Sequence, residues 1–138
     1  MRTMWNEFPD NESMFQVASQ FMLGDNLLIA PKIDTPSSDQ DSRQVQQVTF
    51  NLPAEAQWYN YTTKKMEYML GMDRTVELSD LEQAVFVKGG AILPKLLHDG
   101  CLALTQCIDE PIKLEVYQSM YGQASGNLYL DDGTSLDY

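Results

Sequence analysis

Apolar positions along this chain repeat with two different periods, and the change falls near residue 45. Met14, Phe15, Val17, Ala18, Phe21 and Met22 recur at helical spacing. Ser13 and Gln16 have the spacing of a capping box, and Gly24 fits a helix end that needs a positive φ. The pattern therefore predicts a helix that closes at Gly24. Asn26 to Ile29 follow as a short, continuously apolar strand stopped by Pro31. A strand that is apolar on both faces suits a parallel sheet flanked by helices. Residues 1–33 thus read as the last unit of an α/β structure. Residues 34–44 are polar, with Pro and Ser, and read as a linker or a long surface loop.

From Val45 onward the period is two. Val48, Phe50 and Leu52 alternate with polar residues, as do Val76 with Leu78, Ile112 with Leu114 and Val116, and Leu128 with Leu130. Val85-Phe86-Val87 is a short buried strand stopped by Gly89-Gly90. Several short strands separated by turns predict a β-sandwich rather than βαβ units. The stretch from Leu96 to Glu110 follows neither period and reads as a bridge between two β units. A polar-aromatic pattern is still running at Tyr138, so the C-terminus reads as cut.

Charge and composition narrow the function classes. The 138 residues carry 9 Lys+Arg against 20 Asp+Glu, a formal net charge of -11. Nucleic-acid binding needs basic clusters that displace counterions, and this balance argues against it. No run of about 20 apolar residues spans a membrane, and the N-terminus lacks the apolar core of a signal peptide. Cys101 and Cys107 are the only cysteines and His98 the only histidine, too few ligands for a zinc site. The two cysteines either close a local disulfide or stand as free thiols in a loop. Asn11-Glu12-Ser13 and Asn60-Tyr61-Thr62 are N-glycosylation sequons, which tilt the reading toward a secretory compartment.

Candidate chemistry is sparse. The carboxylate pairs Glu7 with Asp10, Asp109 with Glu110, and Asp131 with Asp132 could in principle flank a glycosidic bond. Asp131-Asp132-Gly133 reads better as a turn, and Glu7 and Asp10 flank a proline turn at the surface. A nucleophilic triad lacks a Gly-x-Ser-x-Gly elbow, and no phosphate-binding glycine motif is present. Trp58-Tyr59-Asn60-Tyr61 is the most site-like run, because flat rings stack on sugars. Packing of alternate aromatics in a sandwich core is the competing reading. Eight methionines point to adaptable packing.

Four stretches, in order, resemble motifs of glycoside hydrolase family 31, the α-glucosidase family. They are Arg2-Thr-Met-Trp-Asn-Glu-Phe-Pro-Asp10, Gln20-Phe-Met-Leu-Gly-Asp-Asn-Leu-Leu-Ile-Ala-Pro31, Val85-Phe-Val-Lys-Gly-Gly-Ala-Ile-Leu-Pro94 and Ala124-Ser-Gly-Asn-Leu-Tyr-Leu-Asp-Asp-Gly-Thr-Ser-Leu-Asp-Tyr138. Thr3 and Ala84 stand where the family has proline, and Lys88 where it has arginine. Cys107-Ile-Asp-Glu-Pro-Ile-Lys-Leu114 resembles a run of the endoplasmic-reticulum subgroup, which implies an accessory β subunit as partner. The resemblance implies a mainly β fold in three parts. Residues 1–33 would end a catalytic (β/α)8 barrel, 34–95 form a proximal C-terminal β-sandwich, and 96–138 begin a distal β domain. It implies a retaining enzyme acting on terminal α-linked glucose through two carboxyl groups, without cofactor or metal. The family's nucleophile motif, Trp-x-Asp-Met-Asn/Ser-Glu, is not in this sequence, so no catalytic residue carries over. Substrate would meet the chain only through the barrel. The alternative is a stand-alone β-sandwich that binds carbohydrate or protein with Trp58 exposed.

Overall fold

A computed structural model describes residues 1–32, 46–79, 82–97 and 110–130, in two compact units, Met1–Gly89 and Gly90–Tyr138. In the first unit, β1 (Arg2–Thr3) leads into one helical turn, α1 (Met4–Glu7). A 3-10 turn at Glu12–Met14 follows, capped by the Asn11 side chain, which accepts from the Ser13 amide. β2 (Phe21–Leu23) and β3 (Leu27–Ala30) then form an antiparallel hairpin.

The predicted helix over residues 14–22 is therefore absent, and its spacing has another cause. Met14 and Met22 are fully buried and Val17 packs against the same core, while Phe15 and Ala18 face solvent. A looped segment that dips into one core at intervals mimics a helical period. Gly24 does adopt a positive φ of 63°, but in the hairpin turn rather than at a helix end. β3 is also antiparallel to both neighbours, with alternating burial, so the expected parallel α/β unit is replaced by sheet.

β4 (Gln46–Asn51) pairs antiparallel with β7 (Asp73–Leu78). β5 (Trp58–Asn60), β6 (Met66–Glu67) and β8 (Ala84–Lys88) join the N-terminal strands. The larger sheet runs β1-β2-β3-β8-β5-β6, with β3 and β8 joined in register from Leu27↔Val87 to Ala30↔Ala84. Phe50 of β4 lies 4.6 Å from Phe86 of β8, ring to ring, so the two sheets share a core. Leu28, Leu52 and Trp58 are fully buried within it, with Met4, Met14 and Met22 filling between.

In the second unit β9 (Ala91–Leu96) pairs antiparallel with β10 (Ile112–Tyr117). The segment around Ser125 runs beside Ala91 as a parallel bridge. A Cβ at Gly126 would lie 2.8 Å from the Ile92 carbonyl oxygen, so this close approach requires glycine. Cross-strand pairs Ile92↔Val116, Pro94↔Leu114 and Leu96↔Ile112 put six apolar side chains on one face, and Leu114 and Val116 are more than half exposed. The strand expected at residues 127–130 is not formed, and Leu128, Tyr129 and Leu130 are exposed. The predicted linker, His98, both cysteines, Asp109 and the Asp131-Asp132 pair lie outside the described residues.

Candidate functional site

Among the described residues, the sites suggested by sequence do not converge. Glu7 sits in an ion-pair cluster. Its Oε2 is 3.2 Å from Arg2 Nη1 and its Oε1 is 3.0 Å from Lys88 Nζ, with the carboxylate largely buried. Arg2 also bonds Asp25. Asp10 is exposed. Among the described residues no group of three or more His, Cys, Asp or Glu could hold a metal ion.

Trp58, the centre of the aromatic run, is fully buried. Its indole Nε1 donates to the Pro53 carbonyl at 2.9 Å, and its ring lies 6.2 Å from that of Phe8. It cannot stack on a sugar, so the packing reading holds for it. Tyr59 and Tyr61 are half-buried.

The two sequons differ in geometry. Asn60 Oδ1 accepts from the amides of Thr62 and Thr63 at 3.0 and 2.9 Å, closing the turn between β5 and β6. Asn11 Nδ2, the atom that glycosylation would modify, donates to Glu55 Oε1 at 2.7 Å.

Polar groups do meet at one place that sequence reasoning missed. Gln20 is 3% exposed and locks onto the backbone of Asn51. Gln20 Nε2 donates to the Asn51 carbonyl and Asn51 N donates to Gln20 Oε1, both at 2.7 Å. One side-chain amide thus completes the hydrogen bonding at the end of β4 as a neighbouring strand would. Asn51 Nδ2 donates to Asp73 Oδ1 at 2.9 Å, while Asn51 Oδ1 is buried with no partner. Beside this lock lies a recess of about 360 Å³, with Val17, Ala18 and Ser19 on one wall and Thr49, Asn51 and Asp73 on the other.

Residues 1–93 match the family model described as the glycosyl hydrolase family 31 C-terminal domain. The chain belongs to glycoside hydrolase family 31. Neutral alpha-glucosidase AB of Mus musculus is 36% identical, and the alignment covers 100% of this chain and 14% of that protein. An alpha-glucosidase of Aspergillus oryzae is 32% identical over 99% of this chain and 13% of its own length. A family 31 dextranase of Flavobacterium johnsoniae superposes with a TM-score of 0.63 at 25% identity, covering 86% of this chain and 13% of that one. The chain thus spans about one seventh of the curated relatives it matches.

Membership gives the motif residues a common reading. Glu7 of the first motif and Lys88 of the third meet in one ion pair, fastening α1 to β8. Lys88 Nζ also sits 5.3 Å from the Phe8 ring centroid. Lysine offers a point charge where arginine offers a planar fork that grips a carboxylate with two parallel bonds. Lys88→Arg should therefore stabilise the fold by about 0.5–1.5 kcal/mol, the net worth of one added hydrogen bond. Urea unfolding checks this, and the gain should vanish when Glu7 is alanine.

Proposed function

We propose that this chain is a structural part of a retaining α-glucosidase that hydrolyses terminal α-linked glucose from oligosaccharides or N-glycans. The catalytic carboxylates lie in a barrel outside the chain. The carrying observation is the match, along the whole chain, to α-glucosidases about seven times its length. Two structural features support the reading. Glu7 is held between two cations and ties α1 to β1 and β8, a structural part for that carboxylate. The apolar face of β9 and β10 is suited to burial against further protein. The stand-alone binding module needs Trp58 at the surface, and its burial weighs against that alternative.

The finer assignments follow the same reading. In the longer protein residues 1–33 end the catalytic barrel, 34–95 form the proximal C-terminal sandwich and 96–138 begin a distal β domain. Likeness to neutral alpha-glucosidase AB favours the endoplasmic reticulum lumen or another secretory compartment, and an accessory β subunit as partner. There Asn60 is the better glycan acceptor, because the Asn11 amide is engaged by Glu55. Cys101 and Cys107 are suited to a disulfide in that oxidising setting. Neither cofactor nor metal enters the reaction proposed.

The test joins two measurements. The native protein in its source cells should have a mass several times 15.7 kDa and should hydrolyse p-nitrophenyl α-glucoside. The purified 138-residue chain should show no turnover above the uncatalysed rate. Appreciable turnover by the chain alone, or a native mass near 15.7 kDa, overturns the proposal.

A further inference from the structure

We propose that the open edge of β7 is a docking site for an extended peptide segment with basic residues at alternate positions, taken up as an added strand. The ladder between β4 and β7 fixes which backbone groups are free. Asn51 N and O both bond the Gln20 side chain, so Asn51 shares no backbone bond with Asp73 opposite it. Hydrogen-bonded and non-hydrogen-bonded pairs alternate along an antiparallel ladder. Asn51↔Asp73, Thr49↔Thr75 and Gln47↔Glu77 are therefore the non-hydrogen-bonded pairs. The 2.8 Å contact between Thr49 Oγ1 and Thr75 Oγ1 agrees, because side chains stand closest in such pairs. The N–H and C=O groups of Asp73, Thr75 and Glu77 consequently point away from β4. Among the described residues no other strand pairs with β7, and these three residues are exposed. The open edge of β4 is shorter, since Gln20 already fills its rung at Asn51.

Charge selects the occupant. Asp73 accepts from the Asn51 amide at 2.9 Å and Glu77 from the Gln47 amide at 3.5 Å, both neutral donors. Among the described residues neither carboxylate pairs with a cation, in a chain of net charge -11. A second copy is a poor fit. Two β7 edges meeting antiparallel about Thr75 would set each Asp73 opposite a Glu77, and like charges directly opposite destabilise a sheet. A segment with Lys or Arg at those positions makes both contacts favourable. On the inner face Val76 and Leu78 are half-buried against the core, so the intervening residues of the segment should be apolar. Main-chain bonds at three rungs hold such a strand, and its alternating side chains set the register. No proline interrupts β7. The edge lies within the first unit and stands independently of the proposed enzymatic role.

The probe is the peptide acetyl-Lys-Val-Thr-Val-Lys-amide, titrated into the chain and followed by two-dimensional ¹H–¹⁵N NMR. A short peptide held mainly by backbone bonds binds at about 0.1–1 mM. Saturable shifts and slowed hydrogen exchange are expected at the Asp73, Thr75 and Glu77 amides. The same peptide N-methylated at its threonine keeps its charge but loses a backbone donor, and should bind about tenfold more weakly. Acetyl-Glu-Val-Thr-Val-Glu-amide should also bind about tenfold more weakly. Glu77→Lys should narrow the preference for the lysine peptide over the glutamate peptide. The N-methyl comparison needs no variant, so the proposal stays testable if Glu77→Lys disturbs the fold. A spectrum that the lysine peptide leaves unchanged overturns the proposal. So do shifts that never saturate, that map away from β7, or that the N-methylated peptide reproduces equally, and so does an unchanged preference in a folded Glu77→Lys. Protection of these amides that rises with protein concentration in the absence of peptide would assign the edge to a second copy and overturn it as well.

Discussion

Trp58→Ala should lower the unfolding free energy by about 3–5 kcal/mol, the usual cost of truncating a large core aromatic. Trp58 has no exposed surface, and the substitution removes its ring from against Phe8. It also strips the Pro53 carbonyl of the indole N–H that it accepts. A domain is typically stable by about 5–15 kcal/mol, so the variant sits near the edge of folding. Trp58→Phe separates the two contributions. It keeps a ring and loses the indole hydrogen bond, leaving the Pro53 carbonyl only the Ala56 N–H at 3.5 Å, and should cost about 1–3 kcal/mol with the reduced volume. Urea unfolding followed by circular dichroism reads both. A loss below about 1 kcal/mol for Trp58→Ala would mean that the ring is not core, and would return the aromatic run to consideration as a surface site.

The second large effect belongs to Gln20. Gln20→Ala leaves the Asn51 N–H and carbonyl without partners, each costing about 1–3 kcal/mol when buried. A total of about 2–6 kcal/mol is expected, reduced wherever water enters the vacated volume. Gln20→Glu should not rescue it, because a carboxylate accepts from the Asn51 amide but gives nothing to the carbonyl, and it carries charge into a buried position. Hydrogen exchange provides a readout independent of global stability. The Asn51 amide should exchange faster in Gln20→Ala than in the parent, even under conditions where both are folded. Unchanged protection at Asn51 would show that the lock contributes little.

Where one sheet face is buried and the other open, the sequence carried the fold plainly. Val48, Phe50 and Leu52 alternate with polar residues, and all three are buried. Val85-Phe86-Val87 was read as a strand stopped by Gly89-Gly90, and β8 ends at Lys88. The N-terminal segment mimics a helix because Met14, Val17 and Met22 reach one core from a loop and the strand after it, and spacing alone does not separate that from a helix. Pairing with β3 and β8, far away in sequence, decided the outcome for Phe21–Leu23. Asn51 and Asp73 gave no sign as a polar cluster. They meet only because β4 and β7 pair in a register that sets them opposite each other. The buried partner of Glu7 was hidden for the same reason, since Lys88 is 81 residues away.

That separation has a consequence for how the protein is made. A ribosome emits the chain from the N-terminus, at about 5–20 residues per second. β2 and β3 therefore leave the exit tunnel well before β8, which covers the edge along Leu27–Ala30. β8, which covers that edge, emerges only after the intervening segments have been synthesised, and Glu7 waits roughly 4–16 s for Lys88. Until then the backbone groups of Leu27–Ala30 that face β8 in the folded protein lack that strand as partner. Codon choice and elongation rate downstream of β3 therefore set how long that edge waits for its neighbour.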